Sequence, residues 1–247
     1  FFVLFVFLAV RVAFLPGASH GYSFLFVPKW EYLRQVDTWV MAMGQAFFSL
    51  SITGSGMIVY GSYLSKDEDI PYAAVNTAVF DTIAAMLAAL AIMPAVFAFG
   101  IEPSSGPSLM FVTLPKVFAQ MPFGRVFAVF FFVSVAFAGI TSLINMFEAV
   151  TESWQTQFKI PRKLAVLLCC GIALAVGIFM EDGNKVGSWM DFITILVVPF
   201  GALLGAVSIY YIFGWDNIKE ELDLGRKKAL PEAFGAVAKY IYVPITV

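Results

Sequence analysis

Residues 44–70 read GQAFFSLSITGSGMIVYGSYLSKDEDI, and this stretch decides the fold of the chain. It lies within an apolar run, residues 39–63, that is long enough to cross a membrane. The run is interrupted at SLSITGSG by Ser, Thr and Gly, which weaken a helix or compete with its hydrogen bonds. Backbone without helical pairing is tolerated at membrane depth only where it is buried in protein or lines a cavity. The stretch therefore predicts a helix broken inside the membrane, a feature typical of binding sites in transporters.

The composition of the whole chain agrees with a location in a lipid bilayer. Of the 247 residues, 60% are hydrophobic, 13% are charged and 27 are Phe. Soluble domains are nearer half apolar and a quarter charged. The net charge of -2 offers no basic surface for a nucleic-acid partner. The long, uniformly apolar runs favour an all-α membrane protein over a barrel of short alternating strands.

Apolar runs along the chain predict about seven membrane segments in a single transmembrane domain, residues 1–247. The first and last runs are cut short at the chain ends, so we expect a fragment of a longer protein. The runs cover residues 1–15, 39–63, 72–100, 125–158, 164–180, 189–213 and 234–247.

The orientation follows from the distribution of Lys and Arg, which are enriched in cytoplasmic loops. One alternating set of loops, which includes Lys159, Arg162 and Lys219, holds more of these residues than the other set. We therefore predict that this set is cytoplasmic and that the long connection 101–124 lies outside. Residues 108–121 are too apolar for a free loop, so they are expected to fold back as a lid of short helices.

Charged residues within the predicted spans are candidates for function, because a charge inside a membrane is costly. For Asp81 two interpretations are open: a carboxylate hydrogen-bonded to neighbouring helices, or a cation ligand or proton carrier. Asp191 lies near the outer end of its run, where a solvated terminal acid is equally compatible. The full set is Arg11, Asp81, Glu148, Glu152 and Asp191.

The segment AGITSL places Thr141 and Ser142 in the middle of a predicted span. Small residues at this depth commonly allow close helix packing. Their hydroxyl oxygens are also suitable ligands for a hard cation. The segment alone leaves both interpretations open.

Other chemistry has little support, and the chain is not expected to be an enzyme. His20 is the only histidine and falls in a predicted outer loop, which argues against a histidine metal site. Cys169 and Cys170 are adjacent in an apolar run and have no metal-binding spacing. No phosphate-binding loop or nucleophile elbow is present. Asp81 and Asp191 lie at opposite depths, which disfavours a shared-proton protease dyad.

Several stretches together resemble one family, the neurotransmitter:sodium symporters. Residues 44–70 resemble the sixth transmembrane helix of the family, and GYSFLFVPKWEYLRQVDTWVMAMGQAFF resembles the approach to it. FVTLPKVFAQMPFG, AFAGITSLINMFEAV and MDFITILVVPFG resemble its outer lid, eighth helix and tenth helix. The resemblance extends from within the fifth helix to the start of the eleventh.

This resemblance implies the second inverted repeat of a leucine-transporter-like fold, with the broken helix at residues 39–63. Helices one to four of the same protein would be its partners. It implies sodium-coupled amino-acid symport by alternating access in the cell membrane, here expected to be a bacterial inner membrane. Two sodium sites are implied, both incomplete in this chain. A transport-inactive membrane sensor or scaffold with the same fold is the alternative.

The resemblance also implies roles for individual residues. The substrate positions are Phe48, Ser49, Ser51, Gly54, Ser142 and Met146. The sodium ligands are Ser49, Asp81, Ala138 through its carbonyl, Thr141 and Ser142. The gate positions are Phe48 and Asp191 on the outer side, and Ser62 and Tyr63 on the inner side.

Three positions depart from the family pattern. Gly54 replaces a pocket-lining Phe, so we expect a bulky apolar or aromatic amino acid as substrate. Ala85 replaces a chloride-site Ser or a substituting Glu, and Asp81 lies one helical turn before it, so no chloride requirement is predicted. Thr156 stands where the inner gate usually has Asp, and no gate acid is assigned there.

Overall fold

The computed structural model describes residues 2–52, 55–100, 103, 109–180, 182–226 and 229–246, and all regular secondary structure in this part of the chain is helical. The α-helices are α1 (Phe2–Ala13), α2 (Ala18–Phe26), α3 (Val36–Ser49), α4 (Ser55–Tyr63), α5 (Ile70–Ala98), α6 (Leu114–Gln120), α7 (Gly124–Phe158), α8 (Arg162–Phe179), α9 (Gly183–Phe192), α10 (Val198–Val207), α11 (Trp215–Asp223), α12 (Glu232–Val237) and α13 (Val243–Thr246). Short 3₁₀ and π-helical segments connect some of them: Trp30–Arg34, Leu109–Thr113, Ile193–Val197, Ser208–Gly214 and Ala238–Tyr242.

Four helical stretches within the described residues are long and apolar enough to cross a membrane. They are α5, α7, α8 and the run Lys185–Asp223, which passes through two π-helical segments. A fifth span is possible if α1 and the segment Ala18–Arg34 count as one, although they are bent by 115°. The prediction of an all-α membrane fold is confirmed.

The count of spans is lower than the seven predicted because two of the runs are divided and because α1, with 12 residues, is too short to count alone. The run 39–63 is split between α3 and α4, which have 14 and 9 residues. The last run is divided among α12, a π-helical segment and α13. Each piece alone is shorter than the roughly 20 residues that a spanning helix needs.

The chain forms two compact units. Unit 1 comprises Phe1–Arg34, Asp81–Ile144 and Ala175–Ser188, and unit 2 comprises Gln35–Phe80, Asn145–Leu174 and Trp189–Val247.

The core of unit 1 lies where the lid segment packs against α1 and the second half of α5. Leu114, Val117 and Phe118 of α6 are buried there, together with Phe5 and Phe131. The rings of Phe118 and Phe131 are 5.4 Å apart between centroids. Segment 109–120 is thus built of short helices as predicted, and its apolar side chains fill a core.

The prediction that His20 lies in an outer loop is wrong, because His20 belongs to α2. The chain turns at Gly17, which has a φ of 87°, a value that glycine adopts without steric cost. Helix α2 then packs directly on α5: a Cβ built on Gly21 would lie 2.4 Å from Cα of Pro94. This close contact requires glycine at position 21.

In unit 2, α3, the first half of the broken helix, makes a similar close contact. A Cβ on Gly44 would lie 2.6 Å from the backbone oxygen of Thr194. One turn further along α3, Phe47 is buried against Val198 and Ala202. This face of α3 therefore packs tightly against the helix that contains α10.

Two connecting segments of unit 2 are joined by an ion pair. The Arg226 guanidinium lies 2.9 Å from the carboxylate of Asp69, and both side chains are partly buried. Asp69 also accepts a hydrogen bond from the backbone N–H of Tyr72 at 3.1 Å, which caps the N-terminus of α5. The start of α5 is thereby fixed to the segment that follows α11.

We predict that Gly21→Ala in the full-length protein lowers the free energy of unfolding by about 1–3 kcal/mol, the usual cost of overpacking. The obstructing atoms belong to the backbone of Pro94 and cannot rotate away. Gly171→Ala is the matched control, because its Cβ would meet no atom within 4 Å. The control is expected to stabilise helix α8 by up to about 1 kcal/mol. Equal unfolding midpoints for the two variants would contradict the contact.

Candidate functional site

The broken helix predicted from residues 44–70 is present. Helix α3 ends at Ser49, and α4 begins at Ser55. Thr53 and Gly54 lie outside the described residues, so the predicted pocket role of Gly54 is not described structurally.

Helix α3 ends in a Schellman motif, a pair of hydrogen bonds that closes a helix C-terminus. The N–H of Ser51 donates to the oxygen of Phe48 at 3.1 Å, and the N–H of Ile52 donates to the oxygen of Phe47 at 2.9 Å. Ile52 also packs beside Phe47, the apolar contact that commonly accompanies this motif. The motif satisfies carbonyls that the interrupted helix would otherwise leave unpaired.

The turn residue of this motif is Ser51, with a φ of 55°. Glycine is the usual residue in this left-handed conformation, and another L-residue is disfavoured there by about 1–2 kcal/mol. Strained backbone of this kind concentrates at functional sites. The side chains of Phe48, Ser49 and Ser51 are exposed in the described part of the chain.

Two predicted sodium ligands lie side by side on α7 in unit 1. The hydroxyl of Thr141 donates to the carbonyl oxygen of Ala138 at 2.9 Å and approaches that of Phe137 at 3.2 Å. The side chains of Ala138 and Thr141 are both exposed, so this face of the helix is open in the described part of the chain. A hydroxyl and a carbonyl oxygen so placed fit the oxygen ligands that hard cations prefer.

The other predicted site residues lie on separate helices. Asp81 is half-buried in the first half of α5, in unit 1, and Ala85 follows one turn later on the same helix. In unit 2, Met146 is exposed on α7, and Asp191 is exposed at the end of α9, just before a π-helical segment. Ser142 is exposed next to Thr141.

The predicted inner-gate position Tyr63 belongs to a cluster of charged and polar residues in unit 2. The Tyr63 hydroxyl donates to the carboxylate of Glu148 at 3.0 Å. Arg162 binds the same carboxylate with both terminal nitrogens, at 3.0 and 2.6 Å. This two-bond geometry is the strong form of an arginine–carboxylate pair. The cluster joins α4, the end of α7 and the start of α8.

The second predicted inner-gate residue, Ser62, is satisfied locally, since its hydroxyl donates to the oxygen of Val59 at 2.6 Å. Thr156 lies beside a different acid. Its hydroxyl is 3.4 Å from the carboxylate of Glu152, which Gln155 also contacts at 3.3 Å. Glu152 and Thr156 line an opening of about 390 Å³ that Val59 also reaches.

Sequence reasoning missed the pairing of Glu148 with Arg162. Glu148 was noted only as a costly charge within a span, and Arg162 only as a loop cation. The two residues are 14 positions apart, on either side of the turn between α7 and α8. The available signal in the sequence was a short turn containing Pro161, with Glu148 on the helix before it and Arg162 directly after it.

Among the described residues, no group of three or more His, Cys, Asp or Glu side chains could hold a metal ion. The predicted sodium ligands are instead hydroxyl and carbonyl oxygens and the single carboxylate of Asp81. Apolar spans with one helix interrupted, together with neutral oxygen donors on another span, are features typical of secondary transporters. The chain belongs to the sodium:neurotransmitter symporter family, whose sequence profile matches residues 1–229.

Individual relatives agree with this assignment. The chain is 37% identical over 218 residues to an uncharacterized sodium-dependent transporter of Bacillus subtilis, YhdH, covering 82% of this chain and 48% of the relative. It is 30% identical over 236 residues to an uncharacterized sodium-dependent transporter of Methanocaldococcus jannaschii, covering 89% and 47%. The crystal structure of MhsT in complex with L-phenylalanine superimposes with a TM-score of 0.87 at 32% identity, covering 99% of this chain and 58% of that one.

The chain spans about half the length of the curated relatives it matches. The resemblance to the family and the leucine-transporter-like fold are both confirmed. The prediction that the chain is not an enzyme is confirmed as well, because the family consists of sodium-coupled transporters.

Proposed function

We propose that the full-length protein carries out sodium-coupled symport of an amino acid, and that this chain supplies the broken helix and part of both sodium sites. The observation that carries the proposal is the interruption between Ser49 and Ser55. The C-terminal end of α3 carries partial negative charge and suits a cation, whereas the N-terminal end of α4 carries partial positive charge and suits a carboxylate. An amino acid and sodium would therefore bind next to each other at this interruption.

One sodium site in the proposal is built on α7. The carbonyl of Ala138 and the hydroxyl of Thr141 already lie 2.9 Å apart, and the hydroxyl proton can rotate away when a cation arrives. Ser142, the residue after Thr141, would supply a further hydroxyl. The second site would use Ser49 and Asp81, with the remaining ligands from helices one to four of the full-length protein.

The proposed substrate is a bulky apolar or aromatic amino acid. Gly54 leaves out a side chain where the resemblance implies an aromatic pocket wall. MhsT, which shares the fold at 32% identity, binds L-phenylalanine. Phe48 and Asp191 would close the outer side over the substrate. Ser62 and Tyr63 would act on the inner side, Tyr63 through Glu148 and Arg162.

Transport by the reconstituted full-length protein tests the proposal. We expect uptake of L-phenylalanine into proteoliposomes to require an inward sodium gradient. Thr141→Val combined with Ser142→Ala should weaken sodium affinity by at least about tenfold, because two cation ligands are lost while the helix is kept. Ser134→Ala, on the same helix, is the control.

Sodium-dependent binding without uptake would instead support the alternative, a membrane sensor or scaffold with this fold. Unchanged sodium affinity in the double variant would refute the α7 site.

We also propose that transport does not require chloride. Residues four positions apart on a helix have Cβ atoms about 5–6 Å apart. An anion near Ala85 would therefore lie close to the Asp81 carboxylate, with a repulsion of about 3 kcal/mol at an effective dielectric of about 20. Ala85 also lacks a hydroxyl to hold chloride. The carboxylate would take the place of the anion in balancing the sodium charge.

Replacing chloride by gluconate is therefore expected to leave the rate of sodium-driven uptake unchanged. Asp81→Asn together with Ala85→Ser should make uptake chloride-dependent, because the fixed charge is removed and a hydroxyl is supplied. The single variant Ala85→Ser is the control and should stay independent of chloride. Strict chloride dependence of the unaltered protein would disprove the proposal. The proposed location is a bacterial cell membrane, which is supported by the similarity to a sodium-dependent transporter of Bacillus subtilis.

A further inference from the structure

An apolar cavity of about 480 Å³ lies in unit 2 beside the interruption of the broken helix. Its walls include Ile52, Met57, Ala206, Tyr210, Ala238 and Tyr242. Cavities of about 300–1,000 Å³ are the usual size of small-molecule sites. The lining is almost entirely aliphatic and aromatic, so a polar substrate or an ion is a poor match for it.

The cavity is bounded by elements that the structure fixes in place. Ala202, Ala206 and Ala238 are buried, and their small side chains leave the space open. The rings of Tyr210 and Tyr242 meet edge to face with centroids 6.5 Å apart. Tyr242 also packs edge-on against Phe47, at 6.3 Å.

A lysine lies where two helical segments that form one wall of the cavity meet. Lys239 follows the cavity residue Ala238, and its ammonium nitrogen is 4.9 Å from the ring centroid of Tyr211, which follows the cavity residue Tyr210. The Tyr211 hydroxyl donates to the backbone oxygen of Lys239 at 3.0 Å. Lys239 is thus held where segments Ser208–Gly214 and Ala238–Tyr242 meet.

Lys239 forms no ion pair with a carboxylate of the described residues, whereas Arg162 pairs with Glu148 and Arg226 with Asp69. Lys239 stands seven positions after the first residue of α12, about 10 Å along the helix axis. In the predicted orientation, a lysine this close to the end of a span extends its ammonium towards the headgroup region. The sequence predicts that this end of the helix faces the cytoplasm.

We propose that the cavity and Lys239 form a binding site for an anionic phospholipid. An acyl chain would occupy the cavity, and the phosphate-bearing headgroup would pair with the Lys239 ammonium. An acyl chain gains little by leaving other lipid tails for an apolar wall, so the tail alone gives no preference between headgroups. The lysine provides the preference, as basic positions between membrane helices do for anionic lipids.

The site adjoins the interruption of the broken helix on both sides. Ile52 lies in the turn that ends α3, and Met57 lies in the first turn of α4. An acyl chain in the cavity would contact both halves of this helix. The lipid is therefore placed to respond to movement at the interruption, whether or not the proposed transport activity holds.

Photocrosslinking of the full-length protein in nanodiscs tests the site. The probes are phosphatidylglycerol and phosphatidylcholine that carry the same photoactivatable acyl chain, and labelled peptides are mapped by mass spectrometry. We expect adducts on the cavity residues of 202–210 and 234–242. Phosphatidylglycerol should label them about fivefold more than phosphatidylcholine, the preference expected from one lysine near the headgroups.

Three variants separate the two parts of the site. Lys239→Gln should abolish the headgroup preference, whereas Lys239→Arg and the control Lys219→Gln should keep it. Ala206→Phe should fill the cavity and reduce labelling by both lipids. Absence of cavity adducts in the unaltered protein would show that something other than lipid covers this face, and would overturn the proposal. A preference that survives in Lys239→Gln would overturn the role of the lysine, even if Ala206→Phe does not fold.

Discussion

The structure depends on one constraint: backbone N–H and C=O groups within a membrane must find partners inside the protein. An interrupted helix violates this constraint unless its ends are closed. Here the two hydrogen bonds from Ser51 and Ile52 close the end of α3, and Ile52 packs against Phe47. The C-terminal end of α3 is therefore closed by paired groups, which makes the interruption compatible with a location inside a membrane.

The sequence was sufficient to predict that this helix is broken, because Ser, Thr and Gly cluster inside an otherwise apolar run. The position of the turn was not predictable in the same way. Gly54 and Gly56 suggested freedom to unwind, yet the described left-handed residue is Ser51. Local propensity favours glycine at this position. The left-handed backbone of Ser51 is kept because the Schellman hydrogen bonds and the packing of Ile52 against Phe47 stabilise it.

The candidate site was partly predictable for similar reasons. Thr141 and Ala138 are three positions apart on one helix, so their proximity follows from helical geometry. The pairing of Glu148 with Arg162 depends on how two helices meet at a turn, which periodicity does not specify. The sequence predicts a loop at His20 because the apolar run ends at residue 15, whereas the structure has α2 there. The close packing of Gly21 on Pro94, which allows α2 to form, is a tertiary contact.

The different parts of unit 2 meet at the broken helix. Its first half, α3, packs through Gly44 and Phe47 against the helix that contains α10, and its second half, α4, reaches Glu148 and Arg162 through Tyr63. The apolar cavity with Lys239 lies beside the interruption itself. The broken helix thus provides the proposed ligand-binding helix ends, belongs to the cluster of Tyr63, Glu148 and Arg162, and borders the proposed lipid site.

Hydrogen exchange of the full-length protein tests most directly whether this interruption is where ligands bind. Amide exchange is followed in sodium with L-phenylalanine and in potassium without it. The account predicts that the amides of residues 50–57 exchange markedly more slowly with both ligands, while those of α8 do not change. Identical exchange of residues 50–57 in the two conditions, with binding of L-phenylalanine verified in the same sample, would contradict it.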